Sequence, residues 1–453
     1  MRARIDDETQ GGWRHLERGE LAAAIDAHHR FLRGEPKGER ADLSFADLAD
    51  ADLAEVDLTG ANLTGARLAY ARLVRAKLKE ASFYGADLRM ARLEGADLTA
   101  ADLRGSCLRG ADLSDSVLIE ADLRDGTLQR ATRGGVSLPP KTEPVATEAT
   151  RVVAHRADLT RARLTTLFAL QTDFTDAKMR GAHLVGADLR NAVLTGSVLA
   201  EADLSGANLS GATLRGSDLT SASWAGANFA EADLSGALVD AAAYEAPELA
   251  GTNLARADKT LIARLPDIVA SHASWVSSAG QAGQRAELSR AVLVRRDLRR
   301  ADLAAALMSY AVLRDSDLSE AQLAMADLSF ADLRGTRFEN ADMRGINLYR
   351  ATLVGADLSG ADLSPLELLD QRATRMPSKV ESARLDGAQL AGANLRGARL
   401  AGASFAGADL RGCDLTGAVL RRACFAGARL EGVRLEGADL REATGLGTET
   451  RAA

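Results

Sequence analysis

The chain has 453 residues and a formal net charge of −7, and 46% of its residues are hydrophobic although only 4% are aromatic. The high hydrophobic content excludes general disorder, and the low aromatic content excludes a core of large rings, so alanine and leucine must fill the interior. The acidic balance disfavours direct binding of nucleic acid. No apolar run has the length of a signal-peptide core or a membrane span, so we expect a cytoplasmic protein without membrane contact.

Residues 1–40 precede the main pattern and contain one amphipathic stretch. Apolar residues and one histidine recur there at helical spacing, which predicts a helix with a single buried face. We expect this face to cover the first coil of the repeat region that follows. The residues predicted to pack in this way are Leu21, Ile25, His28, Phe31 and Leu32.

From Ala41 onward the sequence repeats every five residues, as in ADLSF ADLAD ADLAE VDLTG. A period of five fits neither a helix nor a flat strand, so the chain must turn after every unit. The small first residue and the leucine at the third place would face inward from a short extended segment. Four segments would make a coil of about 20 residues, and coils would stack about 4.8 Å apart. The repeats form four blocks, Leu43–Leu128, Leu159–Leu254, Leu288–Leu363 and Leu385–Leu440.

Bulky residues provide a check on the 20-residue coil. Leu385, Phe405 and Phe425 lie 20 positions apart, which predicts a single inward column.

Two stretches interrupt the period within the blocks. Residues 132–156 contain proline and threonine without a period, which predicts an extended loop that leaves the coil. Residues 364–382 begin with a helix-start pattern, because Ser364 could cap the helix, Pro365 suits its first position and Glu367 could close a capping box. We therefore expect a short inserted helix there, followed by a loop.

A third interruption, residues 258–285, resembles the region before the first block. Its apolar positions repeat the earlier spacing, and GQRAELS follows them as GERADLS followed the first set. We infer a tandem duplication into a first module at 41–257 and a second at 286–442, joined by a linker with a capping helix and followed by a polar tail at 443–453. The predicted packing residues of the second helix are Leu265, Val269, His272, Trp275 and Val276.

The sequence contains no pattern that predicts catalysis, a cofactor or a metal. The six histidines and three cysteines lack the spacing that metal sites and nucleophiles require. His28 and His272 occupy equivalent helix positions. We expect each ring to pack on the adjoining coil with one nitrogen hydrogen-bonded.

Units such as ADLSG, ANLSG and ADLRG resemble the pentapeptide-repeat family, whose consensus is A(D/N)LXX. The resemblance covers about three quarters of the chain and implies an all-β solenoid. Its coil would be a right-handed quadrilateral β-helix, here with short capping and inserted α-helices. The family implies little about function, because its members have many roles.

The leading hypothesis is a non-enzymatic scaffold that binds another protein through its faces and insertions. We expect outward aromatic residues and the prolines of the first insertion to contribute, as well as the segment near 364–370. An enzyme would require a pocket with converging titratable groups, which no spacing predicts. The candidate contact residues are Phe45, Tyr70, Tyr84, Phe330, Pro139 and Pro140.

The alternative hypothesis is a DNA mimic. Some family members that this chain resembles present an acidic rod to DNA gyrase and protect it, so a topoisomerase is a possible partner. The first two blocks are acidic and the last is mildly basic, although Arg67, Arg72, Arg75, Lys77 and Lys79 interrupt the acidic face. The last coil, near Leu440, lacks a convincing cap, which predicts a homodimer through that coil.

Overall fold

The computed structural model describes residues 13–129, 142–240, 243, 246–254, 258–368 and 374–446. The chain divides into two compact units, residues 1–253 (unit 1) and 254–453 (unit 2). Pro139 and Pro140 of the first insertion lie outside the described residues.

Each five-residue repeat places its first and third side chains in the interior. In one such repeat Ala61 and Leu63 are fully buried, each with 0% of its surface exposed. Alternate residues of an extended segment point to the same side, so the second residue faces outward between two buried ones. The small first residue lets neighbouring sides approach closely, while leucine or phenylalanine fills the centre.

A β-turn ends each repeat and redirects the chain. In the same repeat the Leu63 carbonyl accepts the Ala66 N–H at 3.0 Å. Gly65, the last residue of the repeat, has φ 64°, a left-handed conformation. Glycine adopts it without strain because it lacks a Cβ atom.

The backbone pairs with itself one coil further along. Asp42 bridges Asn62, Asp47 bridges Arg67, Asp52 bridges Arg72, and Asp57 bridges Lys77, all in parallel orientation. Four bridges therefore occur in each 20 residues, one in each repeat. Typical hydrogen bonds are short, such as that from the Leu43 N–H to the Asn62 carbonyl at 2.7 Å. The expected coil of 20 residues with four sides is present in both units.

The inward column predicted from bulky residues is confirmed in unit 2. Phe405 and Phe425 stack with ring centroids 5.2 Å apart and planes inclined by 9°. Leu385, one coil earlier, is fully buried.

The first insertion is an antiparallel hairpin in its described part. Strand β3 (Gly126–Gln129) pairs with strand β4 (Thr142–Val145). The coil resumes at the buried Thr147, and Cys107 bridges Glu148 across the insertion. The prediction that the loop extends to residue 156 is therefore wrong. The period was missed because Thr147 and later Val152 replace alanine, and because alanine replaces leucine at Ala149 and Ala154.

The second insertion is also a hairpin, and the helix predicted from Ser364, Pro365 and Glu367 is wrong. Strand β5 (Leu366–Glu367) pairs with strand β6 (Arg375–Met376) in antiparallel orientation. Paired arms return the chain to the point where it left the coil and satisfy backbone groups, whereas an isolated short helix is marginal. The fourth block begins one repeat earlier than predicted, because Ser378 and Val380 already occupy inward positions.

The repeats of unit 1 end earlier than predicted. The last described bridge joins Asp218 to Leu238, and a 3₁₀ helix follows at Pro247–Leu249. Pro247 stands at the first place of a repeat and lacks the N–H group with which this place closes the preceding turn, as Ala237 does by bonding to the Leu234 carbonyl at 2.9 Å. Leu249 and Leu254 are nevertheless buried.

Both expected helices are present. Helix α1 (Arg18–Leu32) precedes the coils of unit 1, and helix α2 (Lys259–Ser277) precedes those of unit 2. An additional strand, β1 (Arg14–His15), pairs in parallel with β2 (Ala46–Asp47) of the first coil. Across the described ranges, no helix combines the length and apolarity needed to cross a membrane.

The predicted cap residues differ in how deeply they are buried. His28, Leu265 and His272 are buried, and most of the others are half-buried. Phe31 and Leu32 are exposed by 46% and 38%, so their predicted packing on the coil is wrong. The reason is that the return segment, and not the coil, adjoins the last turn of α1. Within that segment Gly38 packs on the Phe31 backbone, and the Glu39 N–H bonds to the Ala27 carbonyl.

Candidate interaction surface

Several repeats carry an aromatic residue at the fifth position, where the backbone is left-handed. The φ angles are 51° at Phe45, 63° at Tyr70, 61° at Tyr310 and 57° at Phe330. This conformation costs a residue with a Cβ atom about 1–2 kcal/mol, whereas glycine adopts it freely. Other residue types share this conformation, such as Asp315, Glu320 and Asn340, so the backbone alone does not account for aromatic residues at these places.

Unit 2 gathers three aromatic rings at one corner of consecutive coils, and we call Tyr310, Phe330 and Tyr349 the aromatic ladder. Tyr310 and Phe330 stack with ring centroids 4.9 Å apart and planes inclined by 11°. Tyr349 meets Phe330 edge to face, at 5.6 Å and 84°. The ladder forms because residues one coil apart align on the same corner.

Two arginines cover the outer rings of the aromatic ladder. The Arg290 guanidinium lies 5.8 Å from the Tyr310 ring centroid, and that of Arg350 lies 5.5 Å from the Tyr349 centroid. Arg350 Nε also donates a hydrogen bond to the Tyr349 hydroxyl at 3.1 Å. These cation–π contacts stabilise the rings in fixed orientations.

A groove of about 340 Å³ adjoins the aromatic ladder. Tyr349 forms part of its wall, and Arg399 closes one side by pairing with Glu381 at 2.6 Å. Lys379 has no salt-bridge partner among the described residues. The full lining is Ser329, Asn347, Tyr349, Lys379, Glu381 and Arg399.

The structure does not bring the four predicted aromatic contact residues together. Phe45 packs on Gly65 and is 53% exposed, whereas Tyr70 is 61% exposed. Tyr84 is half-buried beneath the Arg104 guanidinium, 5.3 Å from its ring centroid. Only Phe330 belongs to a ring cluster.

Sequence reasoning missed the other members of this cluster. Arg290, Tyr310, Phe330 and Arg350 lie 20 positions apart. Applying the coil length to outward positions would have found these four. Tyr349 occupies the fourth place of its repeat, so the 20-residue spacing does not reveal it. Its ring meets Phe330 only because the two residues lie at the same corner of neighbouring coils.

Salt bridges join neighbouring coils at the start of unit 1. Asp47 pairs with Arg67 at 3.3 Å, and Asp52 pairs with Arg72 at 2.8 Å. Further pairs join Glu55 to Arg75 and Asp57 to Lys77. Four of the six acidic residues of the first coil are thus paired with basic residues of the second, so the continuous acidic stripe of a DNA mimic is interrupted here.

A local Asp-x-Arg pair recurs along both units. In one instance the Asp297 carboxylate accepts the Arg299 backbone N–H at 3.2 Å and two guanidinium bonds at 2.9 and 2.7 Å. The Arg299 side chain, aided by that N–H, lowers the pKa of Asp297 to about 2. Such carboxylates already form charged hydrogen bonds with an arginine of their own repeat. The same bidentate pairs occur at Asp87, Asp102, Asp122, Asp188, Asp332, Asp342, Asp409 and Asp439.

A second groove, of about 480 Å³, lies on unit 1, and its charged residues pair with one another. Arg161 contacts Glu120 at 2.8 Å, and Arg163 approaches Asp122 at 3.8 Å. No cluster of metal-ligating residues occurs in the part of the chain that the structure describes.

The buried cysteine thiol is poorly suited to act as a nucleophile. Burial raises the pKa of Cys413 to about 12. A thiol with so high a pKa carries almost no thiolate at neutral pH.

Comparison with known proteins identifies the repeats. The family model described as pentapeptide repeats (8 copies) matches nine segments, which together cover well over half of the chain. The matched residues are 39–68, 61–99, 96–132, 172–211, 207–240, 297–329, 326–364, 383–422 and 423–448. The chain therefore belongs to the pentapeptide-repeat family, as its A(D/N)LXX units indicated.

Solved structures of other pentapeptide-repeat proteins resemble parts or most of the chain. A protein from the Arabidopsis thaliana thylakoid lumen is 33% identical over 23% of this chain and 65% of its own, just under two thirds, with a TM-score of 0.20. HetL, involved in heterocyst differentiation regulation in Nostoc sp. strain PCC 7120, is 22% identical over 95% of this chain and 97% of its own, with a TM-score of 0.15.

A third structure is full-length QnrB1, a plasmid-mediated fluoroquinolone resistance protein. It is 17% identical over 47% of this chain and 95% of its own, with a TM-score of 0.26. No curated protein matches the chain.

Proposed function

We propose that this protein is a non-enzymatic scaffold that binds a partner protein through the aromatic ladder of unit 2. The observation that supports this most directly is the cluster of three rings on one corner, with Tyr310 and Phe330 stacked at 4.9 Å and Tyr349 edge to face with Phe330 at 5.6 Å. Tyr310 and Phe330 each cost about 1–2 kcal/mol that glycine would avoid, both are half-buried, and Tyr349 is 38% exposed. Aromatic residues beside arginine are typical of the residues that dominate binding energy at protein interfaces.

The scaffold would be the right-handed quadrilateral β-helix of the family, in two modules that arose by duplication. Backbone hydrogen bonds join successive coils on every side, such as Phe330 N–H to the Tyr349 carbonyl at 2.8 Å. Side chains on such a framework keep fixed positions, so a partner meets a surface that needs little ordering.

The alternative function, an acidic mimic of DNA that binds a topoisomerase, requires a continuous acidic surface. Ion pairs between coils, such as Asp52 with Arg72, and within repeats, such as Asp297 with Arg299, interrupt that surface. These pairs favour the scaffold over the mimic. A gyrase supercoiling assay would show inhibition or protection at micromolar protein under the mimic hypothesis.

We also propose that a second copy covers the last coil of unit 2. Leu430, Val433 and Leu440 are only half-buried there, whereas Leu410 and Leu420, one coil earlier, are fully buried. Light scattering should give a dimeric mass that becomes monomeric in a Leu440→Asp variant. A monomeric mass across a wide concentration range would contradict this proposal.

Photo-crosslinking tests the scaffold directly. Benzoylphenylalanine placed at Phe330 should yield a protein adduct in a lysate of the native host, whereas the same group at Asn340 should not. Asn340 provides a matched control because it shares the left-handed backbone, with φ 54°, and lies half a coil away. Equal adducts at both positions, or none at either, would contradict the proposed contact surface.

A further inference from the structure

The charges around the aromatic ladder indicate what kind of partner it suits, on the premise that unit 2 is an interaction surface. Arg290 lies at one end of the ladder and Lys379 beyond the other, and neither has a salt-bridge partner among the described residues. Two cations therefore remain available to a ligand.

The anions on this face are already engaged. Glu287 accepts the Ser289 N–H at 3.2 Å. Asp327 accepts the Ser329 N–H at 3.0 Å and the Asn347 amide at 2.9 Å. Glu381 pairs with Arg399 at 2.6 Å. These carboxylates thus accept hydrogen bonds or a salt bridge from the protein, whereas Arg290 and Lys379 have no salt-bridge partner in the described ranges.

The ring arrangement adds to this preference. Tyr310 has Arg290 on one face and Phe330 on the other, while Tyr349 carries Arg350. Since Arg290 and Phe330 stack on the Tyr310 ring, its edge is the part left to a ligand. An aromatic edge carries positive partial charge, so it attracts carboxylates and carbonyl oxygens.

The same features disfavour single-stranded nucleic acid. Bases bind to such surfaces by stacking on exposed ring faces, whereas Arg290 and Phe330 stack on Tyr310 and Arg350 lies over Tyr349.

We propose that the aromatic ladder, together with Arg290 and Lys379, binds an extended acidic segment of a partner protein. The two cations are four coils apart, which corresponds to about 19 Å at 4.8 Å per coil. An extended peptide covers this distance in about six residues. Carboxylates near its two ends would meet Arg290 and Lys379, and apolar or flat side chains between them would lie on the ring edges.

Labelled peptides with the full-length protein test this inference. The probes are a peptide of alternating Glu and Tyr, its counterparts with Ser or Lys in place of Glu, and an oligothymidine. We expect the acidic peptide to bind at least about tenfold more tightly than the Ser peptide, with an affinity that falls as salt increases. Equal binding of the acidic and Ser peptides, or tighter binding of oligothymidine, would overturn the proposal.

Variants locate the binding on this surface. Lys379→Glu should weaken binding of the acidic peptide about tenfold, whereas Lys178→Glu should leave it unchanged. Lys178 is a suitable control because it occupies the same place of a repeat in unit 1 and is exposed. Similar losses in both variants would indicate nonspecific attraction and overturn the proposal.

The double variant Tyr310→Gly with Phe330→Gly removes two rings at positions whose backbone favours glycine. It should stay folded, with an unchanged or higher melting temperature, and lose binding of the acidic peptide. Binding that persists would count against the inference.

The crosslinking and peptide experiments together distinguish the two proposals. If the acidic peptide fails to bind while the adduct at Phe330 still forms, the partner chemistry is wrong and the scaffold function stands. If the adduct is also absent, both are wrong.

Discussion

Helices α1 and α2 begin the two units with the same histidine contact. The Ala41 N–H donates to His28 Nδ1 at 3.1 Å, and the Ala286 N–H donates to His272 Nδ1 at 2.9 Å. Both rings are fully buried. Because Nδ1 accepts a hydrogen bond, each ring must be neutral and carry its proton on Nε2. Nδ1 of each histidine is thus hydrogen-bonded to the adjoining coil, in agreement with the sequence-based expectation.

The two caps differ in how they cover the coil. His272 Nε2 lies 3.1 Å from the Ala304 carbonyl, and Leu265 of α2 is buried in the core of unit 2. In α1, Leu21 and Ile25 are only half-buried. His28 Nε2 has no hydrogen-bond partner of regular geometry in the described ranges. The cover of α2 is therefore the more complete of the two.

Strand β1 complements the weaker cover in unit 1. It pairs with the first coil, and Trp13 Nε1 donates to the Gly65 carbonyl at 3.0 Å. Arg14 adds a bond to the Asp42 carbonyl at 2.9 Å. In unit 1 a helix and an edge strand therefore cover the first coil together. Unit 2, in its described part, relies on a helix with a larger apolar face.

The largest expected effect is at Leu265. Replacing this buried side chain with alanine should lower the free energy of unfolding of the cap by about 2–3 kcal/mol. The half-buried Ile25→Ala in α1 should lower it by about 1 kcal/mol. Hydrogen exchange of the first-coil amides in each unit measures both changes. Equal losses would show that the two helices contribute alike and would remove the difference described above.

The second-largest loss of stability should follow from removing the histidine Nδ1 hydrogen bond, which both caps contain. His28→Ala or His272→Ala leaves the N–H of Ala41 or Ala286 buried without an acceptor, which costs about 1–3 kcal/mol. We expect losses of similar size in the two units, because the Nδ1 contact is the same. Amide exchange at Ala41 and Ala286 provides the measurement. A loss confined to unit 2 would show that the Ala304 contact, and not the shared bond, stabilises the cap.

The coil could be predicted from the sequence because its information is local. Each repeat encodes an inward small residue, an inward leucine and a turn, and the same three requirements recur along both units. The two caps could be predicted for the same reason, since Leu265 and His272 fall at the spacing of Leu21 and His28.

The insertions and the ladder depend on contacts that a single repeat does not encode. The helix-start pattern at Ser364 and Pro365 describes local preferences, but pairing of β5 with β6 overrides them. Phe330 was a candidate, yet its partners Tyr310 and Tyr349 become apparent only when coils are stacked. Packing in the core restricts the residue types at inward positions, and this restriction makes their pattern recognisable in the sequence. Outward positions have no such restriction.

A smaller effect should follow from the helix starts. The Asp258 carboxylate accepts the Thr260 and Leu261 N–H groups at 2.8 and 3.3 Å. Asp258→Ala should therefore cost about 1 kcal/mol. In α1 the Glu20 side chain accepts the Glu17 N–H at 3.0 Å, a single bond, so Glu20→Ala should cost about half as much. Exchange of the first-turn amides would distinguish the two, and a larger loss in α1 would contradict this ranking.

The smallest effect is a pH dependence shared by both caps. Burial is the largest cause that lowers the pKa of His28 and His272 below the usual 6.5. Asp57 and Asp302 oppose the shift, while His29 and Arg40 near His28 and Arg285 near His272 reinforce it. As the pH falls below 6.5, the unfolded chain binds protons that the folded caps exclude, so stability decreases.

Over the half unit below pH 6.5, the loss is at most about 0.7 kcal/mol for each histidine, since one pKa unit corresponds to about 1.4 kcal/mol. Protonation would place a hydrogen on Nδ1, facing the N–H of Ala41 or Ala286, so the caps should open before the stacked coils. Amide exchange of the first coils should therefore accelerate with acid, and His272→Ala should flatten this response in unit 2 alone. A response in unit 2 that persists in His272→Ala would assign the pH dependence to other groups.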